Sequence, residues 1–243
     1  MTIAEFKQSV RDRYPEAFAI HREVVTLLEP AVEQPRRHAE LLDLALDMLF
    51  VQAYKAHVSV LLLVLHGHME DAATIARRLL ELAAVMGYFG LAPTPEGKTA
   101  RVKRYLADMW VDLPPEAQNL LPNTAREFWH KIANGAPRGA LPKMQSIFSE
   151  LGRQDTYDHD YRLLSRIAHG ASSDQVIAFA ADTVPVRPLW HLDTLLVLAS
   201  RYFVAAALVW NDSASLIDKG ALDALALKVS AWKRTPIPPS EAA

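Results

Sequence analysis

Residues 37–90 read RHAELLDLALDMLFVQAYKAHVSVLLLVLHGHMEDAATIARRLLELAAVMGYFG, and this stretch decides the fold class. Apolar side chains recur at intervals of three and four along it, the spacing of a helix rather than the alternation of a strand. Gly67 breaks the run, and Glu70 and Asp71 behind it supply the acidic first turn that favours a new helix N-terminus. The spacing predicts one long helix from about Arg37 to His66 and a second that stops at Gly90. A link this short leaves the two antiparallel. The most apolar run, Val58 to Leu65, is too short to cross a bilayer.

Toward the N-terminus, Pro15 stands where a first helical residue would and opens a helix that Pro30 and Pro35 close. Beyond Gly90, the prolines of APTPEGK (92–98) predict a loop and RVKRYLADMW (101–110) a return to helical spacing. Prolines and glycines from Pro114 to Pro142 then cut the chain into short helices such as NTAREFWHKIA and LPKMQSIFSELG. A helix over about 156–169 stops at Gly170. Another spans about Trp190 to Trp210, where Asp193 and Arg201 are costly in lipid, so it reads as core. Ser213 or Ser215 is placed to cap the last helix. The expected architecture is all-α: a multi-helix bundle with two long central antiparallel helices and an irregular insertion of short helices. Its parts are N-terminal helices over 1–35, a single helical domain over 36–232 with the insertion at about 91–152, and a disordered tail over 233–243.

Hydrophobic residues make up 51% of the 243 and charged residues 22%, a globular balance long enough to bury a sizeable core. The absence of cysteine excludes disulfides, thiolate nucleophiles and cysteine-held zinc or iron–sulfur clusters. The N-terminal residues carry Glu5 and lack a continuous apolar core, so they do not form a secretory signal. A cytoplasmic location with no membrane partner follows as the expectation. Net charge is −2, yet residues 97–143 hold eight basic against four acidic side chains. That local excess could meet phosphate, but a pI near 6.5 favours an ordinary solvated face. The scattered tryptophans favour packing over a stacking platform, and no heptad is sustained long enough to predict a coiled coil.

The polar residues that carry chemistry fall on two helices. In YDHDYRLLSRIAHG (157–170), Tyr161 sits within the apolar side of the helix, and Ser165 and His169, four and eight residues on, fall on its border with the polar side. A border residue is held by packing and still reaches a ligand; equally, a serine there can bond back to its own helix and a histidine can favour the helix C-terminus. Arg77 and Glu81 stand one turn apart on the preceding long helix, on the face of Glu70, Thr74 and Tyr88. Antiparallel packing of the two helices would gather Arg77, Glu81, Tyr161, Ser165 and His169 into one inter-helix polar pocket, costly unless every member is satisfied.

On these residues the chain resembles a bacterial helical family of unknown function that shares an Arg-x-x-x-Glu helix and a Tyr-x-x-x-Ser-x-x-x-His helix, over about residues 40–170. It is more distantly similar to the HEPN superfamily of helical nucleotide-binding and ribonuclease domains. Arg162 and His169 match the Arg-spacer-His motif of its nucleases, with Leu163 where those carry a polar residue. Seven positions apart, the two lie about 20° from each other on a helix. The resemblance implies a homodimer and, if catalytic, metal-independent RNA cleavage in stress or phage defence, with His169 handling a proton and Arg162 binding phosphate.

A third cluster, His66 and His68 with Glu70 and Asp71, has ligand types for zinc or manganese and could recruit His159, Asp158 and Asp160. Only the bend at Gly67 lets His66 and His68 share a metal, and surface residues at a helix junction explain them as well. Three functions are thus expected in order: a non-enzymatic HEPN-like protein binding a small ligand, nucleotide or partner without a cofactor; a ribonuclease using Arg162 and His169; and a metal-dependent hydrolase around His66 and His68.

Overall fold

The computed structural model describes residues 2–34, 36, 38, 40–136, 141–168 and 192–232, and every regular element among them is helical. Helix α1 (Ile3–Arg13) starts on a reciprocal cap in which the Thr2 hydroxyl accepts the Glu5 N–H at 3.2 Å and the Glu5 carboxylate accepts the Thr2 N–H at 2.7 Å. Helix α2 (Pro15–Val32) has Pro15 at its first position as expected, but it runs on past Pro30 to Val32. So near the end few backbone bonds remain to lose, which is why proline is tolerated there.

Helix α3 (Leu41–His66) begins later than expected, and ahead of it Arg36 and His38 both reach Asp47. It ends at Gly67, whose φ of 77° is the left-handed conformation that glycine adopts without strain. There the His68 N–H donates to the Leu63 carbonyl at 3.0 Å and the Gly67 N–H to that of Val64 at 3.1 Å, closing the helix end. The chain reverses into α4 (Met69–Gly90), which packs back along α3.

The elements after α4 follow as α5 (Pro95–Asp112), α6 (Pro115–Asn119), α7 (Asn123–Asn134), α8 (Met144–Glu150), α9 (Gln154–Thr156), a π-helical turn (Tyr157–Tyr161), α10 (Arg162–Ala168), α11 (Leu192–Ala214) and α12 (Lys219–Ala231). Pro95 to Lys98 belong to α5 rather than to a loop, since Thr94 caps the Gly97 N–H and Pro95 sits in the first turn, where its missing N–H costs nothing. Asp218 caps α12 through the Ala221 N–H at 2.7 Å, whereas the Ser213 hydroxyl is spent on Asp43 and Ser215, at φ 51°, follows the end of α11. The expected stop at Gly170 and the tail over 233–243 lie outside the described residues.

Helix α4 is the axis of the bundle. Ala72, Ala73, Ala76, Leu79, Met86 and Phe89 are fully enclosed, with α3 and α11 on two sides and α10, α8 and α5 on the others. Both α3 and α11 hold windows of mean hydropathy 1.7, long and apolar enough to cross a membrane by length and composition. Within the fold 72% of the α11 window is buried but only 39% of that in α3. Phe50, Phe203 and Trp210 stack where α3 meets α11, with Phe50 and Trp210 centred 4.1 Å apart.

Candidate functional site

The segment from α8 to α10 runs antiparallel to α4. Leu151 packs so close to Gly87 that a Cβ there would meet its Cδ2 at 3.0 Å, while ten residues later Tyr161 lies against Glu81 and Arg77. Three of the five expected pocket residues thereby come together. The Tyr161 hydroxyl donates to Glu81 Oε1 at 3.3 Å, Arg77 Nε lies 3.7 Å from the same oxygen, and Arg78 Nη1 lies 3.5 Å from the other. Burial first, then the negative charge of Glu81, pushes the Tyr161 hydroxyl above its ordinary pKa, so it stays a neutral donor. One carboxylate faces two guanidiniums, and the cluster carries net positive charge.

The tyrosines extend it. Arg77 lies 6.0 Å over the Tyr161 ring, Tyr161 stacks on Tyr157 at 5.0 Å and 14°, and Arg162 lies 6.0 Å over the Tyr157 ring while pairing with Asp158 at 3.5 Å. Phe148 of α8 closes the tyrosine pair from the side. In an α-helix Arg162 would stand about 140° round from Tyr157, five residues on. The π turn bonds each residue to the one five ahead, which brings Arg162 above Tyr157. This alternation of cations and aromatic rings depends on that one irregular turn.

Ser165 is half-buried on α10 and forms no side-chain hydrogen bond with described residues, unlike Ser9 and Ser59, which bond back to their own helices. His169 lies outside the described residues, so its pairing with Arg162 is not part of the geometry. The Arg162 side chain is 61% exposed. His66 and His68 face each other with ring centres 6.4 Å apart at the Gly67 bend. No group of three His, Asp or Glu side chains placed to hold a metal occurs among the described residues. Those proposed to complete one are engaged elsewhere: Asp160 accepts from the Tyr202 hydroxyl at 2.6 Å, Asp158 pairs with Arg162, and a ring nitrogen of His159 lies 2.9 Å from the Asp155 carbonyl.

Two polar clusters escaped the sequence. Tyr202 of α11, almost wholly buried, is held well above its usual pKa by burial and then by Asp160, and this bond ties the π turn to the core helix. Deeper still, His57 Nε2 lies 3.2 Å from Ser200 Oγ, and its ring stacks on His21 at 4.2 Å. The signal for this second cluster was present: His21 sits between Ala17 and Val24, His57 between Ala53 and Val60, and Ser200 between Leu196 and Phe203, all at core spacing. Ser200 and His57 have the chemistry of a hydroxyl activated by imidazole, but both are fully enclosed and meet no substrate.

Fold and cluster together define an all-α multi-helix bundle with a cation–tyrosine patch flanking its central helix. No family model matches the chain, and no curated protein or solved structure does.

Proposed function

We propose that this chain is a cytoplasmic, HEPN-like binding protein whose cluster of Arg77, Glu81 and Tyr161, extended by Tyr157 and Arg162, receives a small anionic ligand with a planar aromatic part, a nucleotide being the class that fits. The observation that carries this reading is the run Arg77, Tyr161, Tyr157, Arg162 on a partly exposed face. Guanidinium groups recognise phosphate oxygens in a planar fork, and tyrosine faces accept a base by stacking. Glu81 offsets part of the charge of Arg77 and Arg78 and Asp158 part of that of Arg162, which at 61% exposed is the most accessible of the three guanidiniums to phosphate. A π turn is itself a feature found frequently at functional sites.

Calorimetric titration with AMP, ATP and ribose 5-phosphate tests the proposal. AMP and ATP bind, ribose 5-phosphate binds more weakly for want of a base, and Arg77→Ala or Arg162→Ala each lowers affinity about tenfold. Tyr161→Phe keeps the ring and changes affinity little. Absence of heat with both nucleotides sinks the reading.

The exposure of Arg162, on the helix that leads toward His169, favours a second reading as a metal-independent ribonuclease. RNA incubated with the protein in EDTA is then cut, and His169→Ala abolishes the cutting. Intact RNA leaves binding as the function.

A further inference from the structure

Helix α5 encloses two polar groups that find nothing to bond. Tyr105 is only 8% exposed, and its hydroxyl has no hydrogen-bond partner among the described residues. Arg104, beside it in the chain, is half-buried, and its Nε is enclosed without a partner among them in the same way. A buried donor left unpaired is costly, and the cost is larger for a charged group, so two on neighbouring residues call for a reason. The Tyr105 ring stands edge-on to Phe89 of α4 with centres 5.6 Å apart, which fixes where the hydroxyl lies.

The other side of this hydroxyl belongs to α4. Burial pushes its pKa above the ordinary value, Arg78 draws it part of the way back, and Glu81 raises it again, so both α4 residues act on it and it stays a neutral donor. Glu81 holds Arg78 only loosely, with Nη1 3.5 Å from Oε2, and half of the Arg78 side chain is in solvent. Most of its five N–H donors are therefore open to a ligand that arrives from the surface. The neighbouring charges on α5 are occupied. Arg101, one turn before Tyr105, lies 3.9 Å over the Tyr88 ring and donates to the Tyr88 carbonyl at 2.6 Å and to Glu150 at 3.2 Å. Asp108, one turn after Arg104, accepts from the Leu141 N–H at 2.8 Å.

We infer that the Tyr105 hydroxyl, with the guanidinium groups of Arg78 and Arg104 on either side, forms a site between α4 and α5 for the phosphoryl group of a phosphate monoester. Guanidinium nitrogens only donate, and a tyrosine hydroxyl with no acceptor in reach donates too, so the complement is a group that only accepts. A phosphate monoester offers three terminal oxygens, one for each of the three residues, where a carboxylate offers two. The site adjoins the cation–tyrosine patch through Glu81, on the Oε2 side rather than the Oε1 side that Tyr161 uses. It needs no base stacking, and the inference stands without the nucleotide reading.

Phosphorus-31 NMR of inorganic phosphate with the full chain tests it. The wild type broadens the resonance, and dimethyl phosphate, with two terminal oxygens and one charge, is broadened much less. Tyr105→Phe keeps the ring against Phe89 and removes the donor, so phosphate affinity falls about tenfold. Without phosphate its melting temperature holds or rises, because an unpaired buried hydroxyl is gone. A hydroxyl that served structure alone would do the reverse, lowering the melting temperature and leaving phosphate binding as it was. Arg104→Gln and Arg78→Gln each weaken binding by a similar factor, and Arg78, half in solvent, keeps the charge test available if Arg104→Gln does not fold. Three results overturn the inference: no broadening by the wild type, binding that survives both Tyr105→Phe and Arg78→Gln, or equal binding of dimethyl phosphate. Phosphate binding without heat from AMP sinks the nucleotide reading alone, whereas AMP binding that Tyr105→Phe leaves intact, with no phosphate binding, sinks this one alone.

Discussion

His57 has no exposed surface, and its Nδ1, like that of His21 stacked upon it, has no hydrogen-bond partner among the described residues. Burial lowers His21 from an ordinary value near 6.5 to about 4, and burial followed by the repulsion of His21 takes His57 well below its ordinary range. Both are neutral in the folded chain at neutral pH. As pH falls through 6.5 the unfolded chain takes up protons that the folded chain refuses until about pH 4. Stability therefore drops across that window, by about 3 kcal/mol for His21 alone. Urea unfolding at pH 7.5 and pH 5 measures it: the midpoint falls on acidification, and His21→Phe, which keeps a stacking ring without a titrating nitrogen, flattens the fall. An unchanged slope in the variant sinks this account. These two residues were readable as core positions from their spacing, but a sequence does not say which two core histidines meet across helices. Arg77, Glu81 and Tyr161 show the same asymmetry: spacing placed each on its helix, and only packing brought the hydroxyl to the carboxylate.

At the level of elements, close approach matters as much as polarity. Gly87 lets Leu151 lie directly on α4, and this contact sets the height at which Tyr161 reaches Glu81. Gly87→Val forces the segment away and costs about 1–3 kcal/mol by overpacking, while Leu151→Ala in the same chain restores part of it. Thermal unfolding of the single and double variants gives both values, and the single variant also weakens the Tyr161–Glu81 contact. The long helices were legible from apolar period and from Gly67, because periodicity reports the face that packing selects. Helix ends were less so. Pro30 was read as a stop though a helix can carry it in its last turn, and Pro95 was read as loop though it opens α5. The π turn has no residue signature at all. A regular wheel through Tyr157–Tyr161 separates Arg162 from Tyr157, and no propensity within YDHDY announces the wider turn that joins them.

For the whole molecule, the bundle class was fixed by the α3–α4 hairpin, whereas its closure was not visible locally. The helix that completes the core, α11, stands more than a hundred residues beyond the end of α4. Its Leu195, Leu196, Phe203 and Ala207 are fully enclosed, and Trp210 nearly so. That placement has a consequence for how the protein is made. During synthesis the hairpin is made about a hundred residues ahead of α11, so one flank of α4 stays bare until residues 192–214 follow. A chain ending at residue 191 should bind a hydrophobic dye strongly and sediment as aggregates, and a peptide of residues 192–232 added during refolding should rescue it. Early release is therefore more damaging to this protein than to one whose core closes in sequence order, because a single late helix decides whether everything translated before it can be kept.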